Sequence, residues 1–244
     1  MKEKLYTIPV NEAYDSGHEC PLCYIKETLE RQAIEYTMGP SYMEDDVRAV
    51  TDKIGFCSNH VGLLYQDQNR LGLALMLKTH MDKVIDTIED LTAKSPKSSK
   101  SFTGLFNKKK DKDPLVSYIN ELEESCFICN KINNTFDRYI NTIFVLYKSD
   151  DSFRKKTSQI KGYCTDHYGL LYELAPNFLK GEYLDSFISD LNKVYLENIK
   201  RVRDDLDWFI DKFDYRYKDA PWKNSKDALP RSIIKTNGKN VNTN

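Results

Sequence analysis

The stretch Gly55-Phe56-Cys57-Ser58-Asn59-His60-Val61-Gly62-Leu63-Leu64-Tyr65 occurs a second time, 107 residues later, as Gly162-Tyr163-Cys164-Thr165-Asp166-His167-Tyr168-Gly169-Leu170-Leu171-Tyr172. A CxxC motif precedes each copy. It is Cys20-Pro21-Leu22-Cys23 before the first copy and Cys126-Phe127-Ile128-Cys129 before the second. The chain therefore carries the order CxxC, long spacer, CxxH twice. This internal repeat predicts two structurally related halves.

Apolar residues recur every three or four positions along most of the chain, which is the spacing of one face of a helix. The clearest stripes cover residues 77–91, 132–147 and 184–213. The last of them would form a helix about 45 Å long at a rise of 1.5 Å per residue. The predicted fold class is all-α: two related helical halves, each clipped by a CxxC…CxxH metal site, with a long C-terminal helix.

The same patterns predict four segments. Residues 1–93 form an N-terminal helical half with the first metal site, and residues 115–213 form a C-terminal helical half with the second. Between them, residues 94–114 hold seven lysines and two aspartates among serines and prolines, which is typical of a flexible basic linker. Residues 214–244 form a tail that either docks a partner through its aromatic residues or packs back across the chain's own helices.

Eight residues of the repeat are of the types that bind soft metal ions. Taken in chain order, they form two sets of three cysteines and one histidine: Cys20, Cys23, Cys57 and His60, then Cys126, Cys129, Cys164 and His167. Thiolates and an imidazole nitrogen in a set of four are what a tetrahedral Zn²⁺ site needs. The duplication predicts two Zn²⁺ ions per chain, with an iron–sulfur cluster as the less favoured cofactor. Buried free cysteines beside packing histidines are the metal-free alternative.

Local signals place these motifs at helix N-termini. Pro21 directly follows Cys20, and proline suits the first position of a helix because the N–H group it lacks would have no partner there. Gly55 is suited to ending the preceding helix, so that Cys57 and His60 lie on the first turn of the next. Helix dipoles would favour the negative charge that three thiolates leave around Zn²⁺. The metal-binding energy would then contribute to folding.

Two smaller predictions concern the first half. Residues 5–10 read as the one extended segment of the chain. Ser41, followed three residues later by Glu44, matches a capping box that starts a helix. The acids Glu44, Asp45 and Asp46 are then explained by the positive end of that helix better than by a bound divalent ion.

Composition limits the classes of function. The 244 residues include 36 Lys+Arg and 37 Asp+Glu, a formal charge of −1, so the chain lacks the overall basic surface of a non-specific nucleic-acid binder. The N-terminus has no secretory signal pattern, and the most apolar run, residues 71–77, is far shorter than the roughly 20 residues that span a bilayer. We expect a cytoplasmic protein with no membrane association, in which paired cysteines bind metal or act in redox chemistry.

No catalytic residues are identified, because the chain has no phosphate-binding glycine loop, no nucleophile elbow and no HExxH. A thiol-redox role would suit cysteines at helix N-termini, but it leaves both CxxH motifs unexplained. The leading hypothesis is a cytosolic zinc-stabilised helical protein, a binding or scaffold module with a protein partner. The alternative is a thiol-redox or metal-dependent enzyme, including iron–sulfur electron transfer. His18 and His80 do not repeat and are read as surface or packing residues.

One resemblance covers most of the chain outside the linker. It rests on Cys20-Pro-Leu-Cys23, on residues 39–46 and 69–76, on Gly55-Phe-Cys57-Ser-Asn-His60, and on residues 208–215. Together these stretches resemble a family of uncharacterised bacterial proteins with duplicated CxxC…CxxH motifs, classed as a domain of unknown function. The resemblance implies a bacterial cytosolic protein and brings no activity or substrate with it.

Overall fold

A computed structural model describes residues 3–94 and 113–241, and within these ranges the chain forms helices and no strand. This confirms the predicted all-α class. The α-helices are α1 Glu3–Asp15, α2 Pro21–Met38, α3 Asp45–Ile54, α4 Ser58–Gln66, α5 Arg70–Lys94, α6 Pro114–Glu124, α7 Phe127–Ser149, α8 Asp151–Thr157, α9 Thr165–Phe178, α10 Glu182–Asp211 and α11 Ala228–Asn237. None of the helices in these ranges is both long and apolar enough to cross a membrane. The predicted linker lies outside the described residues over positions 95–112.

The chain divides into two compact units. The terminal unit combines residues 1–29 with 134–244, and the central unit is the continuous stretch 30–133. The boundaries fall within α2 and α7. These units differ from the consecutive halves expected from the repeat, because the terminal unit draws on both ends of the chain.

Aromatic packing dominates the core of the terminal unit. The ring of Phe144 on α7 stacks on Phe178 of α9 with centroids 4.8 Å apart and lies 5.2 Å from Phe187 of α10. Tyr147 meets Phe187 edge-on at 4.9 Å, and its buried hydroxyl donates to Asp190 at 2.6 Å. Such pairs add to the free energy of apolar burial. The helix predicted from the stripe over 184–213 is confirmed as α10, which spans 30 residues.

The segment after α10 returns along it. Trp208 Nε1 donates to the carbonyl of Pro221 at 3.0 Å, and Arg231 of α11 forms an ion pair with Asp205 of α10 at 2.8 Å. The ammonium of Lys235 is 1 % exposed and donates to the carbonyls of the segments before α2 and α9. Of the two alternatives for the tail, the structure favours packing onto the chain's own helices.

In the central unit α3 packs along α5. Val47 and Thr51 are the buried residues of α3, and Leu73 and Met76 are buried on α5. Asp52 of α3 accepts a hydrogen bond from the hydroxyl of Thr79 on α5. The stripe predicted over 77–91 does lie on one helix, α5, but it continues past this packed region into exposed positions.

Two local predictions are wrong. Residues 5–10 lie in α1 rather than in an extended segment, although Pro9 is inside the helix. Burial of Val10 and Tyr14, four residues apart on one helical face, outweighs the backbone hydrogen bond lost at proline. Ser41 lies in a 3₁₀ turn, Pro40–Met43, where its hydroxyl donates to the carbonyl of Tyr36.

The helix expected at Ser41 begins instead at Asp45, after Glu44 as N-cap. Ser41 is itself inside the 3₁₀ turn, and Glu44 has the extended backbone of an N-cap residue, so the helix starts later than the capping-box pattern predicts. Asp45 and Asp46 do occupy the first turn of α3, where carboxylates favour the positive end of the helix.

The two glycines of the first repeat copy make a matched pair of substitutions. Gly55 has φ 59° and ψ −149°, and a Cβ there would lie 2.6 Å from Nε2 of His80. Gly62 is inside α4 with nothing within 4 Å of its Cβ position. We expect Gly55→Ala to lower the free energy of unfolding by at least about 1–3 kcal/mol and Gly62→Ala to raise it by roughly 0.5–1 kcal/mol. Denaturant unfolding of both variants measures this, and equal effects of the same sign would contradict the assignment.

Candidate metal centres

The terminal unit brings together Cys20, Cys23, Cys164 and His167. His167 Nδ1 lies 3.4 Å from the sulfurs of Cys20 and Cys23 and 3.2 Å from that of Cys164, and the sulfurs of Cys23 and Cys164 are 3.6 Å apart. The cysteines come from the starts of α2 and α9, and all four side chains are buried. We call this group the terminal cluster.

The central unit holds an equivalent group of Cys57, His60, Cys126 and Cys129, the central cluster. His60 Nδ1 lies 3.2 Å from the sulfur of Cys57 and 3.3 Å from those of Cys126 and Cys129. The sulfurs of Cys57 and Cys129 are 4.0 Å apart. The residues lie at the starts of α4 and α7. Cys57 and Cys129 are partly exposed, whereas His60 and Cys126 are buried.

The pairing expected from chain order is wrong. Cys20 and Cys23 do not meet Cys57 and His60, and each CxxC joins the CxxH of the other repeat copy. All eight candidate ligand residues are nevertheless in one cluster or the other. The two clusters are therefore complete sets of three cysteines and one histidine, with their members exchanged.

Contacts between the loops that precede the motifs explain this pairing. In the central unit, the N–H of Phe127 donates to the carbonyl of Gly55 at 3.0 Å, and the hydroxyl of Ser125 donates to the carbonyl of Ile54 at 2.6 Å. In the terminal unit, the ammonium of Lys235 donates to the carbonyls of Glu19 and Lys161. The first two bonds join the segments of the two motifs directly, whereas Lys235 of α11 bridges the segments before Cys20 and Cys164.

Cysteine occupies the N-cap position of both CxxH helices, Cys57 before α4 and Cys164 before α9, and Cys164 caps its helix through its sulfur. The N–H of His167 donates to the sulfur of Cys164 at 3.4 Å, as the N–H of Cys129 does to Cys126 at 3.5 Å. Positive φ at Gly55 and Gly162 lets the chain turn just before each CxxH helix. The predicted placement of the motifs at helix N-termini is thus confirmed.

These distances match those of one tetrahedral ion. With bonds of about 2.3 Å to sulfur and about 2.0 Å to nitrogen, ideal tetrahedral edges are about 3.8 Å between sulfurs and about 3.5 Å between sulfur and nitrogen. The separations given above lie between 3.2 and 4.0 Å. The cysteines are free thiols, because the sulfur–sulfur distances given above are far longer than the roughly 2.05 Å of a disulfide bond.

Acid–base properties of the sulfurs follow from their crowding. Burial raises the pKa of Cys20 to about 12. Burial and the neighbouring Cys126 raise the pKa of Cys129 to about 12 as well. Burial also acts to raise the pKa of Cys126, but hydrogen bonds to His60 and to backbone N–H groups outweigh burial and lower this pKa to about 6. In the central cluster the pKa shifts of Cys126 and Cys129 thus run in opposite directions, and a cation beside both sulfurs would favour the thiolate form of each.

Glu30 lies behind the histidine of the central cluster. Its Oε1 is 3.0 Å from Nε2 of His60, so that Nδ1 is left to face the sulfurs. Hydrogen bonds to Cys126 and then to Glu30 raise the pKa of His60 to about 10. A carboxylate behind a histidine ligand fixes the orientation of the ring and its tautomer. Glu30 has no signal in the sequence, because the position of one acid on α2 does not relate it to a histidine 30 residues later.

The remaining histidines lie outside both clusters. His18 Nδ1 accepts the N–H of Cys20 at 3.1 Å, and His80 Nδ1 contacts the carbonyl of Asp52 at 2.9 Å. His80 also occupies the space that a side chain at Gly55 would need. Both histidines therefore support the backbone near the motifs.

Comparison with known proteins gives one family and no individual relative. Neither the curated proteins nor the solved structures contain a match. Residues 1–243 match the model of a family described as "Family of unknown function (DUF6062)". This confirms the predicted membership in a family without an assigned function: the chain belongs to the DUF6062 family.

Proposed function

We propose that this protein is a zinc-stabilised helical protein that works by binding a protein partner rather than by catalysis, with one Zn²⁺ in each cluster. The observation that carries the metal assignment is the convergence, twice, of three cysteine sulfurs and one histidine nitrogen within 4.8 Å of one another. Sites with four protein ligands of these types are characteristic of structural zinc.

The compactness of the ligand sets favours a single ion over an iron–sulfur cluster. Polynuclear clusters are usually held by four cysteines around several metal atoms and sulfides. Here the ligand atoms are close enough to touch one central ion, and one of the four is an imidazole nitrogen. Zinc is also the first-row ion that most commonly takes a tetrahedral set of thiolates and imidazole.

Zinc in these positions would stabilise contacts between distant parts of the chain. In the terminal cluster Cys23 and Cys164 are 141 residues apart, and in the central cluster Cys57 and Cys129 are 72 residues apart. An ion bound only by the folded arrangement adds its binding free energy to that of folding. The α2–α9 contact and the α4–α7 contact would each depend on one ion.

A binding role is supported by the apolar side chains that α5 and α6 leave exposed. Met81 and Ile85, one turn apart on α5, are 60 % and 50 % exposed, and Val116 and Ile119 of α6 are 49 % and 39 % exposed. Exposed apolar groups spaced along a helix are typical of surfaces that accept another helix. The four candidate protein ligands in each cluster support the same role, since catalytic zinc keeps one position open for water or substrate.

The enzyme alternative is supported by one observation, the partial exposure of Cys57 and Cys129. If the central cluster were catalytic, its metal would exchange a ligand for water. Replacing Zn²⁺ with Co²⁺ tests this, because the visible spectrum distinguishes four-coordinate from five-coordinate cobalt. We expect a tetrahedral spectrum that does not change when candidate anionic ligands are added.

Double substitutions test both the metal and the pairing. Protein purified without added metal should contain two zinc ions per chain by elemental analysis. Cys23→Ser with Cys164→Ser removes two ligands from the terminal cluster, and one ion should remain. Cys23→Ser with Cys57→Ser weakens both clusters, and both ions should be lost to a chelator that the unsubstituted protein resists.

The reverse order of these two results would show that the ligands pair as they occur along the chain. Fewer than about one zinc per unsubstituted chain, with all thiols freely reactive, would end the zinc proposal. Single-site variants that kept both metal content and melting temperature would contradict the ligand assignment.

Glu30→Ala should weaken zinc binding at the central cluster alone. Loss of the carboxylate frees the His60 ring to rotate, and changes of this kind usually reduce metal affinity by about 10-fold to 100-fold. Competition with a chromophoric chelator measures the affinity, and the terminal cluster of the same molecule is the internal control. Unchanged affinity, or equal loss from both clusters, would show that Glu30 does not position His60.

The two ions should leave at different rates when excess chelator is added. Cys57 and Cys129 are partly exposed, whereas the terminal cluster is buried on all sides, so a chelator reaches the central ion first. We expect zinc release in two kinetic phases, and the faster phase should be absent in Cys57→Ser. The melting temperature should fall after each phase, as each ion is lost. A single phase in the unsubstituted protein would contradict the difference in access.

A further inference from the structure

Apart from both clusters, the terminal unit contains an open recess of about 430 Å³. It lies between α10, the start of α11 and the loops before α2 and α9. Eight of the nine residues that line it are charged, and five of the eight are cationic: Lys161, Arg201, Lys223, Lys226 and Arg231. A volume in this range suits a small molecule.

The three carboxylates of the recess are all engaged by arginine. Glu19, which is 5 % exposed, pairs with Arg201 at 2.6 Å. Asp205 and Asp227 both pair with Arg231, at 2.8 and 2.9 Å. These acids therefore hold the two guanidinium groups of the recess in place.

The three lysines are different. Among the described residues no carboxylate lies within ion-pair distance of Lys161, Lys223 or Lys226. Lys223 places its ammonium 4.0 Å from the centroid of the Trp208 ring, and its backbone has a positive φ of 51°. Five cations and three anions leave a net charge of +2 in the recess.

A further cation lies just behind the recess. The buried ammonium of Lys235 is 3.1 Å from Oε2 of Glu19, the same atom that accepts from Arg201. Glu19 is thus shared between two cations and neutralises only one of them. The recess is therefore positively charged, although the whole chain has a formal charge of −1.

We propose that this recess binds a small phosphorylated molecule. A phosphate monoester carries a charge of about −1.5 to −2 at neutral pH, which complements the +2 of the lining. Arginines held by carboxylates offer rigid N–H donors, and lysines offer mobile point charges, a combination that recognises phosphate oxygens. The recess is a concave, local feature rather than a stripe, so it fits a small ligand better than a nucleic-acid backbone.

Calorimetric titration of the zinc-loaded protein tests the proposal with three probes: inorganic phosphate, ribose 5-phosphate and ribose. We expect both phosphates to bind, ribose not to bind, and affinity to fall as salt is added. Equal affinity for the two phosphates would mean that the phosphate group alone is recognised. Tighter binding of ribose 5-phosphate would mean that the sugar also contacts the recess.

A matched set of variants locates the site. Lys161→Met, Lys223→Met and Lys226→Met combined should weaken phosphate binding by about 10-fold or more, with Lys226→Met alone as a milder variant. Lys148→Met on α7, outside the recess, makes the same change of charge as Lys226→Met alone and should have no such effect. Zinc content should be the same in all variants, so failure here is distinguishable from failure of the zinc proposal. Absence of binding at millimolar phosphate in low salt, or equal losses in the recess and control variants, would overturn the inference.

Discussion

Crowding of ionisable sulfurs around one imidazole is the constraint that the two units share. Two unit charges about 4 Å apart repel by roughly 4 kcal/mol at an effective dielectric constant of 20. Each cluster places three sulfurs at about this separation around one imidazole. The helix N-termini at each cluster favour negative charge by only about 0.3–1 kcal/mol each. Helix dipoles are therefore too weak to stabilise three thiolates, whereas a dication at the centre is strong enough.

Chain entropy does not decide how the motifs pair. Chain-order pairing would close spacers of 33 and 34 residues, whereas the observed terminal cluster joins Cys23 to Cys164 across 141. Each doubling of loop length costs only about 0.6 kcal/mol, so the terminal pairing costs roughly 1 kcal/mol more in loop closure than pairing in chain order. That is comparable to the net contribution of one hydrogen bond, about 0.5–1.5 kcal/mol. The packing of the loops before the motifs therefore selects the partners.

This explains what sequence reasoning could and could not predict. The repeat identified all eight cluster residues and their positions at helix N-termini, because residue type and spacing are local properties. The stripe over 184–213 predicted α10, since a long amphipathic pattern has few alternatives. The pairing depends on contacts such as Ser125 with Ile54 and Lys235 with Glu19, which no spacing encodes. Glu30 cannot be predicted for the same reason. The extended segment predicted over residues 5–10 is wrong because burial of Val10 and Tyr14 outweighs a local proline signal.

The two clusters contain the same residue types but have different surroundings, so a metal ion would be retained in a different way at each. At the terminal cluster the end of α11 closes over the sulfurs, since a Cβ at Gly238 would lie 3.5 Å from Cys164 and 3.6 Å from Cys23. At the central cluster Cys57 and Cys129 keep contact with solvent, and Glu30 orients His60. An ion buried at the terminal cluster could leave only when the packing around it opens, so its release would be coupled to unfolding of that unit. At the partly exposed cluster, ligand geometry and the carboxylate behind the histidine would control retention instead, because solvent already reaches two of the sulfurs.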